Sequence, residues 1–201
     1  MNKKRAQAEE TKQHILSAAK ELFARKGYTA TSLEELAAAT GSSKANIYYH
    51  FKSKEGLFLQ LMDEHDCEWK AHWAKQKSRY RTYAEQMYGM TEEGIKAGFH
   101  HPLHKAAGEF LGETKGKNSY VTEQINKKTE ENRAYYRDFF QKGIDSGEFK
   151  NLAPHQMALT MESLFRGLSE IALNMDYEEA QKLFRDSIAI ILHGIAADSS
   201  S

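Results

Sequence analysis

The run GSSKANIYYHFKSK, residues 41–54, concentrates side chains that suit nucleic acid. Ser42, Ser43, Lys44, Ala45 and Asn46 come first, and all but the lysine are small or neutral. Small residues let a backbone approach the floor of a DNA major groove, Lys reaches a guanine edge and Asn an adenine edge. Tyr48, Tyr49, His50 and Lys54 follow. Hydroxyls, imidazole and ammonium suit phosphate oxygens, which set register rather than sequence. Thr31 and Ser32 add two hydroxyls at the head of the preceding segment, where a helix N-terminus also favours phosphate. Together these are the expected DNA-contacting residues. Tyr48 and Phe51 are expected to be partly core, and Tyr49 and His50 more exposed.

A second constellation pairs aromatic rings with imidazoles. Trp69, His72 and Trp73 stand at i, i+3 and i+4, one face of a helix. His65 and Asp66 precede them, and Phe99-His100-His101-Pro102-Leu103-His104 lies further on. A Trp face can hold a flat ring or a cation. His65, Asp66, Trp69, His72, His101 and His104, with the helix over 120–140, are therefore the expected lining of a small-molecule pocket. His101 and His104 have the spacing of metal ligands, with His65, His72 or Asp66 as further candidates. No cysteine joins them, however, and Pro102 disturbs the local backbone, so no metal and no cofactor is assigned.

The elements that must position these groups are helices. Ser32 can cap a short helix whose Glu35 completes a capping box, and Leu33, Leu36 and Ala37 give its apolar face. Gly41 tolerates the left-handed conformation of a tight turn. Ser43 caps the next helix, which runs to about His50. Two helices joined so briefly cross steeply and project the second outward, the arrangement of a DNA-binding helix-turn-helix. Upstream, residues 1–9 are expected to be a mobile basic arm, followed by a helix over 11–26 buried through Ile15, Leu16, Ala19, Leu22 and Phe23.

Downstream, a helix opens at Lys54 and runs to about residue 79. Others are expected over 83–98, from Pro102 to 113, and over 120–146, 154–173 and 176–197. The spacing thus predicts an all-α chain of about nine helices. Residues 1–54 form a DNA-binding domain and residues 55–201 a ligand-binding and dimerisation domain, with the helix from Lys54 linking the two. The last two helices are apolar over more than one stripe, which implies a homodimer interface.

The run GSSKANIYYHFKSKEGLF, with ILSAAKELFARKGYTATSLEELA before it, resembles the N-terminal domain of the TetR family of bacterial transcriptional repressors. The likeness covers about residues 10–62. It extends more faintly through FLQLMDEHDCEWKAHW, HHPLHKAAGEF and FFQKGIDSGEF, which are similar to the multidrug-responsive members. The resemblance implies a homodimer that binds a palindromic operator and is released by a small-molecule inducer. The position of Trp69 matches a drug-stacking aromatic in those members. Their charge-offsetting acids fall here at His65, Asp66, Gly98 and Thr129, and a stacking tyrosine falls at His101. Only Asp66 keeps a carboxylate, so a planar neutral or weakly acidic aromatic inducer fits as well as a cation.

The 201 residues carry 28 basic and 28 acidic side chains, but not evenly. Residues 1–54 hold ten Lys/Arg and five acids, and the rest 18 and 23. A basic head on an acidic body fits one end meeting DNA. A single cysteine, Cys67, rules out an internal disulfide and fits the cytoplasm. No apolar run is long enough to span a membrane. Neither a nucleophile-base arrangement nor a phosphate-cradling Gly-rich loop supports an enzyme. A constitutive DNA-binding regulator without a sensor remains the alternative.

Overall fold

The computed structural model describes residues 3–99, 101–114 and 120–195. Among them the regular structure is helical: α1 (Lys3–Lys26), α2 (Leu33–Thr40), α3 (Lys44–Phe51), α4 (Lys54–Gln76), α5 (Tyr83–Phe99), α6 (His104–Thr114), α7 (Tyr120–Asp145), α8 (Pro154–Ala172) and α9 (Tyr177–Ile195). A single 3₁₀ turn, Lys77–Arg79, follows α4.

The chain divides into two compact units. One is Met1–Glu68 with His100–Thr122, and the other is Trp69–Phe99 with Glu123–Ser201. Helix α4 contributes residues to both.

In the first unit, Ile15, Leu16, Ala19, Leu22 and Phe23 of α1 are buried, as the apolar stripe requires. Leu36 of α2, Ile47 and Phe51 of α3, and Leu57, Phe58 and Leu61 of α4 are buried as well. Helix α6 belongs to the same core. Phe110 packs edge-on to Tyr28 at 5.1 Å and lies 4.9 Å from Phe58, and Phe23 completes the cluster. Each such buried aromatic contributes on the order of 2–3 kcal/mol by burial. His14 of α1 also bonds the Thr40 carbonyl through Nε2 at 3.1 Å, tying α1 to the end of α2.

Helix α1 is longer than the sequence pattern implies. The basic stretch expected to be a mobile arm is helical from Lys3. Ala6, Gln7, Ala8, Glu9 and Glu10 are strong helix formers. Thr11 Oγ1 donates to the Gln7 carbonyl at 2.9 Å, and Gln13 donates to Glu9 at 3.1 Å, which supports these exposed turns. Met1 and Asn2 lie outside the described residues, as do His100 and the 196–197 end expected for the last helix. The helix expected from Pro102 opens instead at His104, after a turn through Pro102 and Leu103.

In the second unit, Met87 of α5, Phe139 and Phe140 of α7, Phe149, Met157 and Met161 of α8, and Ile188 and Leu192 of α9 form one cluster. Ile95, Leu168, Ala172, Ala180 and Phe184 form another. Gly143 lets the Phe149 ring lie against α7, because a Cβ there would stand 2.2 Å from that ring.

Candidate nucleic-acid interface and sensor residues

Helix α3 is held by its own caps and by one buried face. Ser43 accepts the Asn46 backbone N–H at 3.1 Å, which satisfies a donor left open by the first turn. Ile47 and Phe51 anchor it inward. Before it, α2 carries the full capping box: Ser32 N–H donates to Glu35 at 3.0 Å, and Glu35 N–H donates to Ser32 Oγ at 3.2 Å. Lys26 also pairs with Glu35 and holds its carboxyl down to about 2. Gly41 closes α2 in the left-handed region (φ 61°), as a turn this tight requires.

The outward face of α3 presents Lys44, Ala45, Tyr48 and Tyr49 to solvent, with Tyr48 63% and Tyr49 69% exposed. The expectation that Tyr48 would be partly core is corrected here. Ile47 takes the inward position, and the next residue is turned about 100° away. Ser42, Asn46 and His50 are half-buried, and the Asn46 amide reaches Ser42 Oγ at 3.5 Å. Tyr49 and His50 meet edge-to-face at 5.0 Å. Lys44 pairs with Glu34 of α2, and that bond holds the Glu34 carboxyl below its usual range. The pair is solvent-exposed, so Lys44 can leave it for a stronger anion at little cost.

Two of the expected DNA contacts point inward instead. Thr31 is 1% exposed, and its hydroxyl donates to the Gly27 carbonyl at 2.6 Å. Lys54 Nζ donates to the Tyr28 and Thr31 carbonyls, both at 3.1 Å, and lies 4.1 Å from the centre of the Tyr28 ring. Carbonyls in the α1–α2 loop thus take the ammonium that the sequence alone offers to phosphate.

A groove of about 280 Å³ runs between α1 and α3, lined by Gln7, Ala8, Thr11, Asn46, Tyr49 and His50. Gln7 and Thr11 were not among the expected residues. Their only sequence signal is the helix-favouring composition of 6–10, which carries α1 far enough back to flank α3.

The expected sensor residues fall in two groups. His65, Asp66, His101 and His104 lie in the first unit, and Trp69 and His72 in the second. His65 and His101 stack with ring centroids 3.9 Å apart. The Leu103 N–H donates to His101 Nδ1 at 3.2 Å, which places the neutral ring's proton on Nε2. Burial, then the neighbouring His65, Lys20 and His104, push His101 down to about 4. His65 is lowered as well, mainly by burial.

In the second unit, His72 meets Glu93 at 2.8 Å, and Trp73 is buried with its Nε1 donating to the Tyr135 hydroxyl at 3.0 Å. The Trp69 ring lies beside Gly94, and its Nε1 is buried with no hydrogen-bond partner. Among the described residues, no three His, Cys, Asp or Glu side chains are arranged to hold a metal ion. A cavity of about 280 Å³ between α7 and α8 includes Thr129, Arg133, Tyr136, Glu162, Phe165 and Arg166 in its lining. Sequence reading missed the Arg133–Glu162 pair, because nothing local links two residues on separate helices.

The family model for bacterial regulatory proteins of the tetR family matches residues 15–61, and the model for the QacR-like protein C-terminal region matches 65–197. The chain belongs to the TetR family. It is 31% identical to the HTH-type transcriptional regulator QacR of Staphylococcus aureus over 92% of its own length and 98% of the relative's. This makes it a QacR-like transcriptional regulator with a helix-turn-helix N-terminal domain and a helical C-terminal domain. The HTH-type transcriptional regulator AcrR of Shigella flexneri is 44% identical over 61 residues, 30% of this chain and 28% of that one. A solved TetR-family regulator from Pectobacterium atrosepticum superposes with a TM-score of 0.79 at 17% identity, over 98% of this chain and 99% of that one. It shares the fold. No helix among the described residues is long and apolar enough to cross a membrane.

Proposed function

We propose that this TetR-family regulator is a cytoplasmic repressor that binds a palindromic operator as a homodimer and leaves it when a small planar aromatic compound binds the second unit. The observation that carries the first half is the outward face of α3. Lys44, Ala45, Tyr48 and Tyr49 are exposed on a helix that Ile47 and Phe51 fix from behind. Lys44 and Asn46 are assigned to base edges, and Ser42, Ser43, Tyr48, Tyr49 and His50 to phosphate and sugar. Ser32 adds an α2 N-terminal contact. Thr31 and Lys54 act by holding the loop beneath.

One α3 reads too few base pairs for useful discrimination, and two related by a dyad read an inverted repeat. Helices α8 and α9 are assigned to the dimer interface. Ile171 is 52% and Ile190 73% exposed within the single chain, and exposed apolar residues on adjacent helices favour a self-complementary surface.

The ligand-released half rests on linkage. A compound that binds the DNA-incompetent state better shifts the population by its differential affinity and no more. Helix α4 contributes residues to both units and is the assigned route between them. Trp69, with its unpartnered buried N–H, is the assigned ligand contact on α4. Selecting duplexes from a random pool with the full-length protein tests the reading. It requires an inverted repeat bound by an even number of chains, and a compound that dissociates the complex. Recovery of asymmetric sites, or of none, contradicts it.

A further inference from the structure

We propose that the cavity between α7 and α8 binds a planar aromatic anion, of the aromatic carboxylate class, with Arg166 as its charge partner. The binding stands on the geometry of the second unit alone. Its regulatory consequence rests on the ligand-released reading above.

The lining holds two guanidiniums and one carboxylate. Both oxygens of Glu162 accept from arginines: Arg133 Nε donates to its Oε2 at 2.9 Å, and Arg166 Nη2 donates to its Oε1 at 3.0 Å. Arg133 is committed on both sides, because its Nη1 also donates to Glu130 at 2.5 Å. Arg166 differs. It is 70% exposed, and Glu162 occupies only one edge of its five-donor fork. A guanidinium with an open edge at a cavity mouth matches a carboxylate in bidentate geometry.

The aromatic half of the ligand is set by one ring from each helix, Tyr136 of α7 and Phe165 of α8. Tyr136 and Phe165 lie with ring planes 23° apart and centroids 6.2 Å apart. That separation is too small to admit a third ring between them, but the pair forms an apolar shelf on which one flat ring can stack. Thr129 adds a hydroxyl that already donates to the Ile125 carbonyl at 3.0 Å, so its oxygen remains an acceptor for a ligand hydroxyl. At about 280 Å³ the cavity suits one or two fused rings.

A cation fits poorly. It would need the Glu162 carboxylate, whose two oxygens already accept from arginines, and it would sit beside both guanidiniums. Like charges in one cavity disfavour it.

Isothermal titration calorimetry of the full-length protein tests the proposal with three isosteric probes: 2-naphthoate, 2-naphthamide and naphthalene-2-carboxamidinium. The proposal requires saturable binding of the carboxylate at one site per chain, at least tenfold tighter than the amide, and no measurable binding of the amidinium. Arg166→Gln must weaken the carboxylate at least tenfold and leave the amide unchanged. Its side chain is exposed within the single chain, and a circular dichroism melt like the parent's is required of the variant as the folding control. Binding of the amidinium as tight as the carboxylate overturns the ligand class. Carboxylate binding indifferent to Arg166→Gln overturns the site, and no binding of any probe overturns the proposal.

Operator release is read separately. Arg166-dependent carboxylate binding that leaves operator affinity unchanged keeps this site and removes the ligand-released reading for it. Release by another compound, with no carboxylate binding, does the reverse.

Discussion

The Glu109 carboxylate of α6 accepts the Thr29 backbone N–H at 2.9 Å, across 80 residues of chain. It also lies against Gly27, where a Cβ would stand 2.7 Å from both of its oxygens. Gly27 adopts φ 87°, so the absent side chain serves both the turn and this close approach. Helix α6 thereby holds the α1–α2 loop on which α2 and α3 are mounted. Glu109→Ala removes the acceptor and is expected to cost about 1 kcal/mol, a modest figure because the bond is exposed. The specific readout is amide hydrogen exchange at Thr29, which should speed up by more than the global unfolding rate explains.

Gly56 marks a close backbone approach in the first unit. A Cβ there would stand 2.0 Å from the Phe51 carbonyl oxygen. Gly56→Ala must push α3 away from α4, and a loss of about 2 kcal/mol or more is expected from urea unfolding. Gly112 of α6 is the control. A Cβ there meets open space, so Gly112→Ala should be neutral or stabilise by up to about 1 kcal/mol.

Lys54→Ala separates structural cations from DNA-contacting ones. Its Nζ serves the Tyr28 and Thr31 carbonyls. Loss of operator affinity is expected through a destabilised α1–α2 loop, with the slope of log affinity against log salt unchanged. Losing a phosphate contact would reduce that slope by about 0.9. A reduced slope would show that Lys54 leaves its loop for DNA.

The His65–His101 stack gives a pH dependence of known sign. Both imidazoles lie below their ordinary value of 6.5, His101 at about 4. The unfolded chain therefore takes up protons first. Stability is unaffected above about pH 7, falls as pH drops through 6.5, and levels off below about 4. The rings are partly solvated, so the loss is on the order of 1 kcal/mol after allowing for screening. Lys20, His104, Asp66 and Glu68 modulate it from around the pair. Urea midpoints at pH 7.5 and 5 should differ in the parent chain and differ less in the His65→Phe, His101→Phe double variant.

What could be read from sequence was local. Ser32 with Glu35, Ser43 and Gly41 announce α2 and α3 because capping chemistry acts within four residues. The apolar stripe of α1 and the wide stripes of α8 and α9 follow from helical periodicity. Orientation and partnership were not legible. Of the two rings in YYHF expected to turn inward, Phe51 does, but the register set by Ile47 sends Tyr48 out. Thr31 and Lys54 looked like donors for DNA, but carbonyls of the α1–α2 loop take them. Arg133, Glu162 and Arg166 carry no motif, since only the packing of α7 beside α8 makes them neighbours.

The most direct measurement of the central claim is operator affinity of Lys44→Ala and Tyr49→Phe at moderate salt, by fluorescence anisotropy. Both side chains are exposed on α3, so the variants should fold like the parent. Each is expected to weaken operator binding by about 1–3 kcal/mol, while binding to unrelated duplex falls less. Parent-like operator affinity in both variants would contradict the account, because it would mean that the outward face of α3 does not meet DNA.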